Sequence, residues 1–160
     1  MLEPAESPSW TFDDISRFAG LSGLPVVVKG VLRGDDATRC VDAGAAAVWV
    51  STHGGRQVDP AVSSAYALPE VAAAVGQRAE VYADGGIRSG SDVLTALALG
   101  ARAVFLGRPT AWGLATGGAD GVARVLGALS DELAHTMALC GLADVGAVPP
   151  DTVVPAPRLP

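Results

Sequence analysis

Four short apolar runs, each followed by a segment with helical character, constrain the fold of this 160-residue chain more than any other feature. The runs are continuous and do not alternate with polar residues, which is typical of strands in a parallel sheet covered by helices. Because strand and helix alternate along the chain, we predict an α/β fold. The predicted strands are residues 25–28, 46–51, 80–83 and 103–106, and the predicted helices are residues 10–19, 35–43, 63–75, 91–99 and 120–139.

The alternating region predicts one domain over residues 10–147, with a tail at each end. Residues 1–9 are rich in Pro, Ser and Glu and predict a flexible N-terminal tail. Residues 148–160 contain several prolines and predict an irregular C-terminal tail. The glycine-containing stretch of residues 107–119 predicts a loop ahead of the last helix.

Composition excludes several classes of protein. A net charge of -6 disfavours general binding to nucleic acid or to anionic membranes. Charged residues interrupt each long apolar block before it reaches the roughly 20 residues of a membrane-spanning helix. The chain shows no export signal and contains only Cys40 and Cys140. We therefore expect a cytoplasmic protein without a disulfide framework or a metal site.

An internal repeat supports a modular architecture. The spacing between the matched positions spans two strand-helix units, and barrels of eight such units are built from modules of this kind. Some open sheets are also built from such modules, so the repeat favours a barrel without excluding an open sheet. The matched pairs are Gly30 with Gly86, Gly34 with Gly90, Asp36 with Asp92, Gly44 with Gly100, Ala45 with Ala101 and Val48 with Val104.

Polar and glycine residues follow all four predicted strands at the same end. In a parallel sheet the carboxyl ends of the strands lie on one face, which is where such folds place their binding sites. We therefore predict one site on this face. The residues concerned are Lys29 and Gly30 after the first strand, His53 to Arg56 after the second, Asp84 to Gly86 with Arg88 after the third, and Gly107 with Arg108 after the fourth.

The loops after the third and fourth strands carry the pattern of a phosphate site. Gly85, Gly86 and Gly107 allow backbone N–H groups to approach a ligand closely, and Arg88 and Arg108 add positive charge. In barrels, the last two loops of this kind are the usual phosphate site. The alternative interpretation is that the glycines serve only tight turns and that the arginines are solvated.

The ends of the first two strands carry a candidate catalytic group. Lys29 ends an apolar strand, where an ammonium group needs an anionic or polar partner, either a ligand or a carboxylate such as Asp84. His53 alone would often be structural, but Arg56 lies three residues on. An imidazole that takes a proton, together with a guanidinium that holds a carboxylate, suits proton abstraction from an acid substrate.

Several of these segments resemble one enzyme family. STHGGRQVDP is similar to the S-N-H-G-G-R-Q-L-D signature of the FMN-dependent α-hydroxy-acid oxidases and dehydrogenases, and LPVVVKGV, YADGGIRSGSDVLTALALGA and VFLGRP resemble other segments of that family in the same order. The resemblance implies a TIM (β/α)8 barrel, FMN as cofactor, and oxidation of a small L-2-hydroxy acid to the 2-oxo acid.

The resemblance also implies roles for individual residues. His53 would be the base, and Arg56 would bind the substrate carboxylate. Lys29 would lie beside the N1/C2 carbonyl edge of the flavin. The positions that would bind the ribityl chain and phosphate of FMN are Asp84, Gly86, Arg88, Gly107 and Arg108.

The four units resemble only units five to eight of the family's barrel, so the expected structure is a C-terminal half-barrel. Four strands leave two open edges and an uncovered inner face, and we expect self-association or a separate N-terminal half chain. The competing hypotheses are a catalytically inactive FMN- or phosphate-binding half-barrel that needs a partner, and another phosphate-binding barrel enzyme such as a flavin-dependent isomerase. The intact HGGRQ string weighs against the isomerase.

Overall fold

Within residues 10–154, which the computed structural model describes, four parallel strands form a single sheet in chain order. Each strand is followed by a helix, and a further helix precedes the first strand. The strands are Val27–Val31 (β1), Ala47–Val50 (β2), Glu80–Asp84 (β3) and Ala103–Phe105 (β4), and the helices are Asp13–Ser22 (α1), Gly34–Asp42 (α2), Ser64–Val75 (α3), Gly90–Ala98 (α4) and Arg108–Leu139 (α5).

Helices cover one face of the sheet and leave the other open. Val48 and Val50 of β2 are fully buried against the helices, together with Leu68 of α3. Trp49 lies between the two valines in the sequence and points to the opposite face, where it lines an open cleft. A doubly wound sheet reverses its strand order and carries helices on both faces, whereas a barrel does neither. The architecture is therefore the α/β half of a TIM barrel, as predicted.

The internal repeat is visible in the backbone. Gly44 follows α2 with a φ of 97°, and Gly100 follows α4 with a φ of 103°. In both places the glycine allows the chain to leave the helix through the left-handed region that other residues avoid. The repeat therefore describes two copies of one strand-helix-strand-helix module.

A glutamate from the second helix of each module binds the N-terminus of the first helix. The Gly34 N–H donates to Glu70 Oε1 over 2.8 Å, and the Gly90 N–H donates to Glu132 Oε2 over 2.9 Å. Each carboxylate satisfies a backbone donor that has no partner inside its own helix. Each module consists of two strand-helix units. We call the module from β1 to α3 the first pair of units and the module from β3 to α5 the second pair.

The two pairs meet at a looser boundary. Contact between α2 and α3 and between α4 and α5 is extensive, whereas contact between α3 and α4 is much smaller. A cavity of about 170 Å³ lies at this boundary, lined by residues of α3 and α4 and by the loop after β3. The helix layer is thus tight within each pair and less well filled between them.

The prediction of a loop over residues 107–119 is wrong, because α5 already begins at Arg108. Pro109 fits the first turn of a helix, where its missing N–H costs nothing. The helix is interrupted at Gly117 and Gly118, and residues 108–116 form a short arm that folds back on the following segment. Gly121 makes this possible, because a β-carbon there would overlap the Gly113 carbonyl oxygen.

The predicted tails lie mostly outside the described residues. Residues 1–9 and 155–160 are not described, and the tail boundaries stay predictions. Pro150–Thr152 forms a 3₁₀ turn that contacts α4. Cys40 is buried and Cys140 is exposed, and both thiols are free. In residues 10–154 we find no helix with the length and apolar character needed to cross a bilayer.

Candidate active site

An open cleft of about 840 Å³ lies at the carboxyl ends of the strands. All eight residues to which the family resemblance assigns a role line this one cleft, although they lie in or follow four separate strands. The structure therefore brings the predicted set together, while their individual roles stay predictions. The eight residues are Lys29, His53, Arg56, Asp84, Gly86, Arg88, Gly107 and Arg108.

Lys29 is held between a hydroxyl and a carboxylate. Its ammonium donates to Ser51 Oγ over 2.8 Å and lies 3.1 Å from Asp84 Oδ2. The pairing with Asp84 is the alternative that the sequence left open for this lysine. It does not remove Lys29 from the cleft, because the Lys29 side chain remains 36% exposed. A positive charge therefore faces the cleft from β1.

His53 occupies a backbone conformation that few residues adopt. Its φ is 53°, and within residues 10–154 no other non-glycine residue has a positive φ. The following Gly54 and Gly55 also have positive φ, and the three form a 3₁₀ turn. The His53 N–H donates to Ser51 Oγ over 3.1 Å. This turn directs an exposed imidazole into the cleft at the end of β2.

Three arginines of the cleft have no acidic partner. Within residues 10–154, Arg56, Arg88 and Arg108 form no ion pair. Of the six described arginines outside the cleft, those at positions 17, 33, 39, 78 and 102 each pair with a carboxylate, and Arg124 does not. A concentration of uncompensated positive charge in a concave site favours an anionic ligand. The chain as a whole is acidic, so this charge is a property of the cleft.

One end of the cleft combines these charges with a helix N-terminus. Gly107 precedes the first residue of α5, and a β-carbon at Gly107 or Gly86 would meet no atom within 4 Å. The backbone at these two positions is therefore open to a ligand. Free N–H groups, the helix dipole and the Arg108 guanidinium together suit a phosphate group. The Arg88 guanidinium lies 5.3 Å from the Trp112 ring, on the short arm of α5.

Asp92 fixes the loop that carries Arg88. Its Oδ2 accepts hydrogen bonds from the Arg88 N–H, the Ser89 N–H and the Ser89 hydroxyl, each over 2.9 Å, and the Ser89 hydroxyl accepts in return from the Asp92 N–H. Partial burial acts to raise the pKa of Asp92, but these hydrogen bonds outweigh it and hold the pKa below its usual value.

We expect Asp92→Asn to lower the free energy of unfolding by about 1 kcal/mol at pH 7, because the charged acceptor of the capping box is lost. A carboxylate with a lowered pKa stabilises the fold above the pKa of the unfolded chain and loses this effect as pH falls through the folded value. The difference between wild type and variant should therefore shrink below about pH 4. Urea denaturation of both proteins at pH 7 and below about pH 4 measures this difference.

Asp36 provides a matched control, since it is the repeat partner of Asp92. Its carboxylate makes only an exposed contact of 3.8 Å with Arg39. We expect Asp36→Asn to change the free energy of unfolding by less than about 0.5 kcal/mol at either pH. Equal losses in the two variants would contradict the assignment of Asp92.

Three further residues of the site region, Ser51, Trp49 and Phe105, were not predicted from the sequence. Ser51 is 1% exposed and joins Lys29 to the His53 backbone through one hydroxyl. The signal for it was a hydroxyl directly at the end of an apolar strand, because a buried hydroxyl needs partners. Trp49 and Phe105 stack with ring centroids 3.7 Å apart and form an aromatic wall of the cleft. Their cross-strand contact depends on register, which the sequence alone does not give.

Comparison with known proteins agrees with this arrangement. The model of the FMN-dependent dehydrogenase family matches residues 2–155. The L-lactate oxidase of Nostoc sp. is 56% identical over 135 residues, which is 84% of this chain and 37% of that protein. The 4-hydroxymandelate oxidase of Amycolatopsis orientalis is 50% identical over 137 residues, which is 86% of this chain and 38% of that protein.

Solved structures give the same result. A mandelate oxidase with (S)-2-phenylpropionate superposes with a TM-score of 0.85 at 49% identity, over 88% of this chain and 42% of that chain. A mandelate oxidase variant with a monooxide FMN adduct has a TM-score of 0.85 at 49% identity, with 88% and 45% coverage. The chain thus spans less than half the length of these relatives. With the motif, the cleft and the fold all in agreement, it belongs to the FMN-dependent dehydrogenase family.

Proposed function

We propose that this chain carries the catalytic part of an FMN-dependent enzyme that oxidises a small L-2-hydroxy acid to the 2-oxo acid. The observation that supports the proposal is the single cleft, which has an imidazole and an unpaired guanidinium on one turn and a phosphate-type site at the other end. The relatives named lactate oxidase and 4-hydroxymandelate oxidase support a 2-hydroxy acid as the substrate class.

The residues present fit FMN. The phosphate would bind at the N-terminus of α5 with Arg108 and Arg88, where open glycine backbone and uncompensated charge coincide. Asp84 would accept hydrogen bonds from ribityl hydroxyl groups, and Lys29 would place a positive charge against the ring. When bound, FMN supplies the acceptor for the two electrons that leave the substrate.

The substrate would be handled by the turn after β2. Oxidation of a 2-hydroxy acid to a 2-oxo acid removes two electrons and two protons from the substrate. The His53 imidazole would take up one of these protons as the general base, and the other would leave with the two electrons, for which FMN would supply the acceptor. Arg56 would hold the substrate carboxylate through paired N–H donors, which fixes the hydroxyl-bearing carbon near the imidazole.

The open inner face of the sheet supports a further part of the proposal. Val27 is 42% exposed and Phe105 is 40% exposed on this face, at the two outer strands of the described sheet. A barrel leaves neither an inner face nor strand edges uncovered. We therefore propose that four more strand-helix units complete the site, supplied by a separate N-terminal half or by a second copy of the chain.

The same observation supports a second candidate function. A half-barrel with an uncovered inner face retains the phosphate end of the cleft but lacks whatever the remaining units contribute. Such a chain would bind FMN or another phosphate ligand with a partner and would not oxidise a substrate. The two candidate functions differ in whether electrons are transferred from a substrate, and not in whether a phosphate ligand such as FMN is bound.

The test pairs this chain with the N-terminal units of the L-lactate oxidase of Nostoc sp., the relative at 56% identity. The paired protein is purified with FMN, made anaerobic and mixed with L-lactate, glycolate or mandelate. Loss of the visible absorbance of oxidised flavin is the expected result. Bound flavin that stays oxidised with all three acids would overturn the oxidase proposal in favour of the inactive half-barrel. Failure to bind flavin would contradict both.

We expect Arg108→Gln to raise the Kd for FMN by about 10- to 100-fold in this paired protein, because a charge-assisted hydrogen bond to phosphate is lost. Riboflavin, which lacks the phosphate, is the control ligand, and its Kd should change less than threefold. Both values come from quenching of flavin fluorescence. An equal effect on the two ligands would show that Arg108 does not bind the phosphate.

A further inference from the structure

Gly30 lies where β1 departs from regular pairing with β2. The register shifts between Lys29 and Val31, and Gly30 has a φ of 99°. This φ belongs to the left-handed region, which glycine enters at little cost. The irregularity brings the α-carbon of Gly30 towards the turn that carries His53.

The imidazole of His53 occupies the space that a side chain at Gly30 would need. A β-carbon built on Gly30 would lie 2.7 Å from His53 Cε1, 3.5 Å from Nε2 and 3.6 Å from Nδ1. The first distance is well inside van der Waals contact. One side of the ring therefore lies directly against the Gly30 backbone.

Other contacts leave the ring free to move. The His53 residue is exposed, and the hydrogen bonds that hold it involve its backbone: the N–H donates to Ser51 Oγ, and the carbonyl accepts from the Arg56 N–H over 3.4 Å. Within residues 10–154, no hydrogen bond to the imidazole is seen. An exposed ring without hydrogen bonds would populate several rotamers unless packing restricts it. The packing surface on this side is Gly30.

We propose that Gly30 is a positioning residue for His53. Its missing side chain and bulged backbone form the surface on which the imidazole rests at the end of β1. This inference rests on the proposed function of His53 as the base. A displaced base reduces turnover even when every reacting group is present, and an error of about 1 Å can cost roughly 100-fold.

The variant that tests this is Gly30→Ala, with Gly44→Ala as its matched control. Gly44 has nearly the same φ, 97°, but a β-carbon there would meet nothing within 4 Å, and the residue lies outside the cleft. Both variants place alanine at nearly the same positive φ, and only Gly30→Ala adds the collision with the ring.

In the paired protein described above, we expect Gly30→Ala to lower kcat by about 100-fold while KM for the 2-hydroxy acid and Kd for FMN change less than threefold. Gly44→Ala should keep the wild-type kcat. Equal kcat values in the two variants, or a change in KM instead of kcat, would overturn the positioning role.

A second measurement does not depend on catalysis or on the variant folding. In wild-type protein, the nuclear Overhauser effect between the Gly30 α-protons and the His53 Hε1 proton reports the contact directly. We expect a strong effect, and its absence would overturn the proposal. If the effect is present and the paired protein still oxidises no 2-hydroxy acid, the proposed function fails while the placement of the ring stands.

Discussion

Replacing His53 with alanine should lower kcat of the paired enzyme by about 100- to 10,000-fold, the range that a positioned general base contributes. The imidazole projects into the cleft from a turn whose backbone is held by Ser51, so its removal leaves that turn intact. The phosphate-type end of the cleft lies on other loops. The Kd for FMN should therefore change less than threefold. Stopped-flow reduction of the flavin under anaerobic conditions measures the chemical step separately from reoxidation.

His135→Ala is the control for this experiment. The chain has two histidines, and His135 is exposed on α5 away from the cleft. We expect wild-type flavin reduction in that variant. Unchanged reduction in His53→Ala would remove His53 from the mechanism. A large loss of FMN binding would instead assign it to the cofactor site.

Gly90→Ala should have the largest effect on stability, lowering the free energy of unfolding by about 3 kcal/mol or more. A β-carbon at Gly90 would overlap the backbone nitrogen of Leu133 and the carbonyl carbon of Glu132. Backbone atoms in the middle of a helix cannot rotate away as a side chain can. Relief requires α4 and α5 to separate, which also breaks the hydrogen bond from Gly90 N–H to Glu132.

Gly127→Ala is the matched control, because it changes a glycine of α5 whose β-carbon would meet nothing within 4 Å. Alanine in an open helical position typically stabilises a helix by about 0.5–1 kcal/mol relative to glycine. Urea denaturation should therefore shift the two variants in opposite directions. A loss of less than about 1 kcal/mol in Gly90→Ala would mean that α4 and α5 can adjust their spacing.

Much of the fold could be predicted because strand burial and helix ends leave marks in the sequence. The continuous apolar run of β2 was expected at residues 46–51 and is observed at Ala47–Val50. The helix expected at residues 63–75 is observed at Ser64–Val75, where the Ser63 side chain accepts a hydrogen bond from the Tyr66 N–H. Both signals are local, and they do not depend on which elements pack together.

The short arm of α5 escaped prediction because its stability comes from tertiary contact. The arm contains Gly113 and is followed by Gly117, and glycines in a sequence usually indicate a loop. In the structure, Gly113 instead allows the arm to pack closely against Gly121. A glycine that permits close packing cannot be distinguished from one that breaks a helix until the partner is known.

The candidate site, too, could be predicted only in part from the sequence. The residues with unusual chemistry were selected from their positions at strand ends, which parallel topology brings to one face. Gly30 was identified only as a strand-end glycine, and Ser51 was not selected. Their relation to His53 depends on a register shift in β1 and on a positive φ at His53. Neither the shift nor the φ leaves a periodic pattern in the sequence.

The looser boundary between α3 and α4 separates two sets of site residues with different proposed roles. His53 and Arg56 belong to the first pair and would carry proton transfer and substrate recognition. Lys29 also lies in the first pair and would contact the flavin ring. Asp84, the glycine loops and the two phosphate-directed arginines belong to the second, which would anchor the cofactor. The cavity at this boundary is lined by α3 of the first pair and by Asp84 and Gly86 of the second. Filling this cavity from its α3 or α4 side would therefore change the spacing between the site residues of the first pair and those of the second.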